Sequence, residues 1–170
     1  VSIGTPVPGL VSQVLVKVWD KVKEGQELMR LDDRELQAQL IGQEASIEVN
    51  QANLGISQAQ LAKAQDTLDR LKSITDQRAI SQDDLRNRTN DVLVAKAQAT
   101  QAEAQLNAAH AAVKQTKLLI ERLTVRAPRA GSILQVNIRA GEYASIQNKQ
   151  AAITLGDVDM LQVRADVDEQ

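Results

Sequence analysis

At 170 residues the chain has room for about one domain, and with one Trp, one Tyr and no Phe it has little to fill a large compact core. A net charge of −2, with almost no stacking aromatics, argues against a nucleic-acid binder. The absence of cysteine excludes disulfides, thiolate metal sites and cysteine nucleophiles, and leaves the compartment open.

From Val7 to Leu31 the apolar residues follow period two. Val11, Val14, Val16, Val18, Val22 and Leu28, punctuated by Gly9 and Gly25, predict short strands and turns. Asp32 and Asp33 then offer N-cap carboxylates, and Glu35 adds favourable charge to the first turn of a helix.

Asp33 to Leu123 contains no proline. Leu40, Ile47, Leu54, Leu61 and Leu68 recur at strict seven-residue spacing, flanked by Leu36 and Leu71, which is a coiled-coil signature. Gly42 and Gly55 each cost about 1 kcal/mol inside a helix, so packing must carry part of this element. The pattern breaks across Lys72–Ile80, and Ser81-Gln82-Asp83-Asp84 matches a capping box with Asp in place of Glu. A second run comes next: Leu85, Val92, Ala99, Leu106, Val113 and Ile120, with Ala95, Ala102, Ala109, Thr116 and Leu123 three residues after the last five. These spacings predict an antiparallel helical hairpin over residues 33–123, turning near 73–81. A separate stripe, Ala38, Ala45, Ala52 and Ala59, lies about 140° around the first helix from the leucines. It is either an exposed face rich in good helix formers or a smooth surface for the hairpin of a neighbouring copy.

After Thr124-Val125-Arg126-Ala127-Pro128 the alternation returns and repeats the first segment at an offset of 122. Gly9 falls on Gly131, Val11 on Ile133, Val14 on Val136, Val16 on Ile138 and Asp20 on Glu142. Trp19 falls on Gly141, so the two copies are expected to differ at that turn. Two such half-motifs build one small β-domain, from residues 1–32 and 124–157. Met160–Val167 starts a further strand, read with the rest of 158–170 as the beginning of another β-domain. The chain opens in mid-pattern and is expected to be part of something longer. No apolar run approaches the roughly 20 residues that span a bilayer.

Gly9-x-Val11-x-x-Val14-x-Val16 with Asp20-x-Val22-x-x-Gly25-x-x-Leu28 resembles the first half of a biotinyl/lipoyl-like domain. Ala127-Pro128-x-x-Gly131-x-Ile133 with Gly141-Glu142-Tyr143 is similar to the second half. Split by a coiled-coil hairpin, the two halves resemble the periplasmic adaptor (membrane fusion) proteins of Gram-negative tripartite efflux and secretion systems. The resemblance implies an α+β fold: a lipoyl-like β-sandwich, or barrel-sandwich hybrid, with an inserted long antiparallel hairpin. It also implies a periplasmic, inner-membrane-associated location and an oligomer, commonly a hexamer. The implied partners are a TolC-type outer-membrane channel and an inner-membrane transporter of RND or ABC type. In efflux adaptors the hairpin tip carries Arg, then Leu four residues on, then Ser seven further on, and engages the channel. Those positions here are Arg70, Ile74 and Ser81, with Ile standing for Leu. Read from the residues alone, Ser81 is an N-cap and Arg70 a solvated helix residue.

No enzyme emerges, and no catalytic, cofactor-binding or metal residue is assigned. The junction Leu31-Asp32-Asp33-Arg34 lacks the lysine that a lipoyl or biotinyl carrier acylates, and Lys17, Lys21 and Lys23 read as solvated. His110 is a lone histidine on a helix flank, and Met29 and Met160 form no cluster. Asp157, Asp159, Asp166, Asp168 and Glu169 lack calcium-loop spacing. A coiled-coil scaffold with a lipoyl-like base and no transport role is the alternative reading.

Overall fold

The structure is a computed structural model that describes residues 1–73, 81–145 and 151–156. Strands β1 (Ser2–Ile3), β2 (Gly9–Val14), β3 (Lys21–Val22) and β4 (Glu27–Leu31) precede helices α1 (Arg34–Lys72) and α2 (Gln82–Arg122). Strands β5 (Thr124–Arg126), β6 (Gly131–Val136), β7 (Tyr143–Ala144) and β8 (Ile153–Gly156) complete the order. The chain divides into two compact units, residues 1–37 with 118–170, and residues 38–117.

The first unit contains two four-stranded sheets, ordered β1-β8-β6-β3 and β5-β4-β2-β7. Each sheet mixes strands from both sequence halves: β2 pairs with β4 and β6 with β8 within a half, while β1, β3, β5 and β7 each pair with a strand of the other half. The internal repeat becomes a structural two-fold: β1, β3, β6 and β8 in one sheet correspond to β5, β7, β2 and β4 in the other. Gly9 and Leu10 pair with Ala144 and Tyr143, as Gly131 and Ser132 pair with Val22 and Lys21. A bulge between Val11 and Gln13 is matched by one between Ile133 and Gln135. Val11 lies opposite Leu31 and Ile133 opposite Leu155, so the second half is two residues longer between its last strands.

The correspondence extends to the turn where different conformations are expected from the sequence, and there that expectation fails. Trp19 has φ 76° and Gly141 φ 87°, the same left-handed backbone. In one copy the Trp19 amide donates to Ile133 O (2.7 Å) and Ile133 N to Asp20 O (2.9 Å). In the other, Gly141 N donates to Val11 O (2.8 Å) and Val11 N to Glu142 O (2.9 Å). The Asp20 and Glu142 carboxylates accept from the amides of Lys17 (2.8 Å) and Arg139 (3.0 Å). These bonds impose the conformation whichever residue occupies it. Glycine adopts it freely, whereas tryptophan does so against its steric preference.

Val11, Leu28, Met29, Leu31, Ile133, Ile153 and Leu155 are the fully buried large side chains, and they form one core with Val22, Val125 and Ile138. Burying each is worth roughly 1.5–3 kcal/mol, enough for a small sandwich without aromatics. Met29 is therefore a core residue, while Met160 lies outside the described residues. Gly131 is fixed by close approach, because a Cβ there would come within 2.8 Å of Gly156 O.

Where β4 gives way to α1, the Asp32 carboxylate accepts from Arg34 N (3.1 Å) and Nε (2.9 Å) and pairs with its Nη2 (2.6 Å). These hydrogen bonds and the guanidinium charge hold the Asp32 carboxyl down at about 2, against an ordinary 3.8. Because the folded value is the lower one, the contribution is complete above pH 3.8 and is lost as pH falls through about 2. The stability advantage of the native chain over Asp32→Asn should therefore vanish across that window, as followed by acid titration of the circular dichroism. An advantage independent of pH there would assign the effect to something other than this carboxylate.

Candidate functional site

The second unit holds most of the two helices, which are 39 and 41 residues long and at 1.5 Å per residue run for roughly 60 Å each. Lys117 Nζ pairs with Glu44 Oε1 at 2.9 Å. Farther along, one groove is lined by Asn53, Ser57, Gln60, Gln98, Ala102 and Gln105, and another by Lys63, Ala64, Thr67, Arg88 and Asp91. Numbers rise on one helix as they fall on the other, so the pair is antiparallel.

Burial resolves the seam. On α2, Ala95, Ala99, Ala102, Val113 and Thr116 are buried and Leu85, Val92, Leu106, Ala109 and Ile120 partly buried, matching the spacing read from the sequence. On α1 the protected positions are Leu36, Leu40, Gln43, Ile47, Asn50, Leu54, Ser57, Leu61, Ala64, Leu68 and Leu71. Much of this seam is polar or small, and a search for apolar residues misses it. Counting three residues on from each leucine, the step that works on α2, finds it.

Asn50 Nδ2 donates back to Ser46 O (2.8 Å), and Ser57 Oγ to Asn53 O (3.0 Å). Gln43 Oε1 is buried without a hydrogen-bond partner. Leaving such a group unsatisfied costs about 1–3 kcal/mol. Gln43→Leu should therefore raise the hairpin's thermal midpoint by an equivalent of about 1–2 kcal/mol. A lowered midpoint would mean that Gln43 is needed at the seam for its polarity.

Of the predicted tip residues, Arg70 lies in the last turn of α1 and is exposed, with Nη2 2.6 Å from Asp66 Oδ2. Ser73 Oγ donates to Arg70 O (2.8 Å). Ser81 stands directly ahead of α2, and its carbonyl accepts the first helical bond from Leu85 N (3.1 Å). Ile74 lies outside the described residues, as do the other residues of 74–80. Arg70 and Lys72 also bring positive charge to the C-terminal end of α1, and Asp83 and Asp84 negative charge to the N-terminal end of α2, each favoured by the helix dipole.

Ala38, Ala45, Ala52 and Ala59 are all exposed and off the seam. Between them Gly42, Val49 and Ile56 are exposed too, Val49 by 62% and Ile56 by 58%. Residues 38, 42, 45, 49, 52, 56 and 59 thus form a second uncharged heptad stripe. An equivalent on α2 runs through Val94, Ala97, Gln101, Ala104, Ala108, Ala111, Gln115 and Leu118, again wholly exposed. His110 is exposed, and among the described residues no group of His, Asp or Glu could hold a metal ion. Among them, too, no helix is long and apolar enough to cross a membrane.

A barrel-sandwich hybrid closed from two split halves, with a helical hairpin inserted between them, is the architecture of the membrane fusion, or periplasmic adaptor, proteins. The family profile described as RND MFP, barrel-sandwich hybrid domain, matches residues 1–156, and the chain belongs to that family. It is 28% identical over 170 residues to the macrolide export protein MacA of Yersinia pestis and 27% identical to that of Escherichia coli O157:H7. These matches cover 99% of the chain but 46% of each relative, so the chain spans about half their length. MacA from Actinobacillus actinomycetemcomitans shares the fold with a TM-score of 0.82 at 21% identity, over 92% of this chain and 49% of that one. The soluble domain of LipC, a membrane fusion protein of a type I secretion system, aligns with a TM-score of 0.54 at 11% identity, over 92% and 98% of the two chains.

Proposed function

We propose that this chain is the hairpin-bearing part of a periplasmic adaptor that couples an inner-membrane transporter of RND or ABC type to a TolC-type outer-membrane channel. The observation that carries the reading is the closure of two sequence-distant halves around an inserted hairpin, within a family match over residues 1–156. In this reading residues 1–32 and 124–157 form the base, 33–123 the hairpin, and 158–170 begin a further β-domain. Arg70, Ile74 and Ser81 meet the channel. The uncharged face of α1 through Ala38, Ala45, Ala52 and Ala59 packs on a neighbouring copy, and the exposed α2 stripe is its natural counterpart. A contact between unlike faces repeats around a ring when the rotation closes, which fits a hexamer. The relatives' name makes macrolides the first compounds to test.

The test is photo-crosslinking in cells from positions along the hairpin and base, with export measured in a strain lacking the gene. Crosslinks from the tip to an outer-membrane channel, with lost efflux on deletion, are expected. Unchanged efflux together with no membrane-protein crosslink would overturn the reading.

A further inference from the structure

Charge is sorted around the hairpin. Lys117 Nζ and Glu44 Oε1 pair across one flank of the two helices. Lys96 and Glu103 stand at seven-residue steps from Lys117, Lys114 lies three residues before it and Glu48 four residues after Glu44, so all share that flank. Together these are all the charged residues of 38–60 on α1 and 94–119 on α2.

The opposite flank carries no charge over the same length. Its groove is lined by the amides and hydroxyl of Asn53, Ser57, Gln60, Gln98, Gln101 and Gln105. Seven-residue steps back from Asn53 extend the line to Ser46 and Gln39, both exposed. Along the seam's edge toward this groove, Gln43 and Asn50 precede Ser57 at the same step. A helix pair bathed alike on both flanks has no cause to sort its charges, because a solvated flank accepts them freely.

The stripes through Ala45 and Ala52 on α1 and through Ala104 and Ala108 on α2 lie on the far side of each helix from the seam. When neighbouring copies join through these stripes, one flank of every hairpin faces the axis of the ring and the other faces the surrounding water. A charge on the inner flank recurs at the same level in every copy, and a ring of like charges around a narrow lumen attracts one sign of solute and repels the other. On the outer flank salt screens the same charge within about 8 Å. Amides and hydroxyls keep a wall hydrated without giving it a sign.

We propose that the amide flank is the wall of the conduit and the Glu44–Lys117 flank its outer surface, so that the lumen over this length passes solutes of either charge. Such a wall rests on the adaptor reading and its ring of copies, and it fixes which side of the hairpin meets the cargo.

The chain has no cysteine, so single introduced thiols can mark each flank. Asn53→Cys and Gln98→Cys mark the amide flank, and Gln51→Cys and Glu103→Cys the charged one. In the isolated chain a polyethylene-glycol maleimide and two small thiosulfonates, one cationic and one anionic, should label all four positions. In the full adaptor assembled with its transporter and channel, the polymer should label Gln51→Cys and Glu103→Cys only, while both small reagents still react at Asn53→Cys and Gln98→Cys. Adding Gln60→Glu and Gln105→Glu should raise the cationic-to-anionic rate ratio at Asn53→Cys about tenfold in the assembly, and much less in the isolated chain.

Ring and wall fail separately. Absence of crosslinks between the α1 and α2 stripes of neighbouring copies removes the ring, and the wall with it. With those crosslinks present, polymer labelling equal on both flanks, protection of the charged flank instead, or a rate ratio that the added glutamates do not move overturns the wall alone. Exclusion of the small reagents from the amide flank overturns it in favour of a face covered by protein.

Discussion

If the hairpin tip docks as proposed, Arg70→Asp should reduce its crosslinking to a TolC-type outer-membrane channel by about tenfold or more, the loss expected when an interface arginine worth at least about 1.4 kcal/mol is reversed. The side chain is 79% exposed, and it pairs with Asp66, one helical turn back. Exposed pairs of this kind contribute little, about 0.2–1 kcal/mol, so the guanidinium can be redirected to a partner at small cost. Stability of the isolated chain should therefore hardly change. Ser81 needs a finer comparison, because it occupies the position ahead of α2 where a side-chain oxygen satisfies helix-start amides. Ser81→Trp removes both the cap and the small size, losing about 1 kcal/mol from the cap alone. Ser81→Asn keeps the capping chemistry and adds only bulk. Loss of crosslinks in both variants, with helicity kept in Ser81→Asn, assigns the residue to docking. Loss in Ser81→Trp alone assigns it to capping. Crosslinking unchanged in Arg70→Asp and both Ser81 variants would sink tip docking.

Most of the architecture is legible because each element writes a period into the sequence. Leucines every seventh residue announce the hairpin, and the offset of 122 announces two halves of one base. The failures have physical causes. The repeat looks broken at Trp19 because tryptophan and glycine differ as side chains, yet the turn is set by backbone bonds to Ile133 and by the Asp20 carboxylate. Gln43, Asn50 and Ser57 escape an apolar search because a protected seam position does not have to be apolar, and Asn50 and Ser57 bond to their own helix. Likewise Gly42, Val49 and Ile56 complete a stripe of which only the alanines stand out. The tip residues come from resemblance and not from periodicity, since a turn contact leaves no repeat to read.

That outer stripe carries the second large effect. Ala45→Glu with Ala52→Glu should abolish export while the chain keeps its helicity and melting midpoint. Both positions are exposed, outside the seam that runs through Leu40, Ile47 and Leu54. Exchanging alanine for glutamate within a helix costs only a few tenths of a kcal/mol. In a single copy the added carboxylates face water and are tolerated. Packed as proposed against the uncharged α2 stripe of a neighbour, they would be buried on a face without a cation of its own, and an unpaired buried charge costs several kcal/mol. The cost recurs at every contact around a ring, so the assembly fails where the single chain does not. Ala45→Ser with Ala52→Ser, small and uncharged, should keep export. Native crosslinking between copies, read beside export, separates the causes. Lost contacts with lost export support hairpin packing, whereas intact contacts and normal export in the glutamate variant would leave the alanines as nothing more than good helix formers.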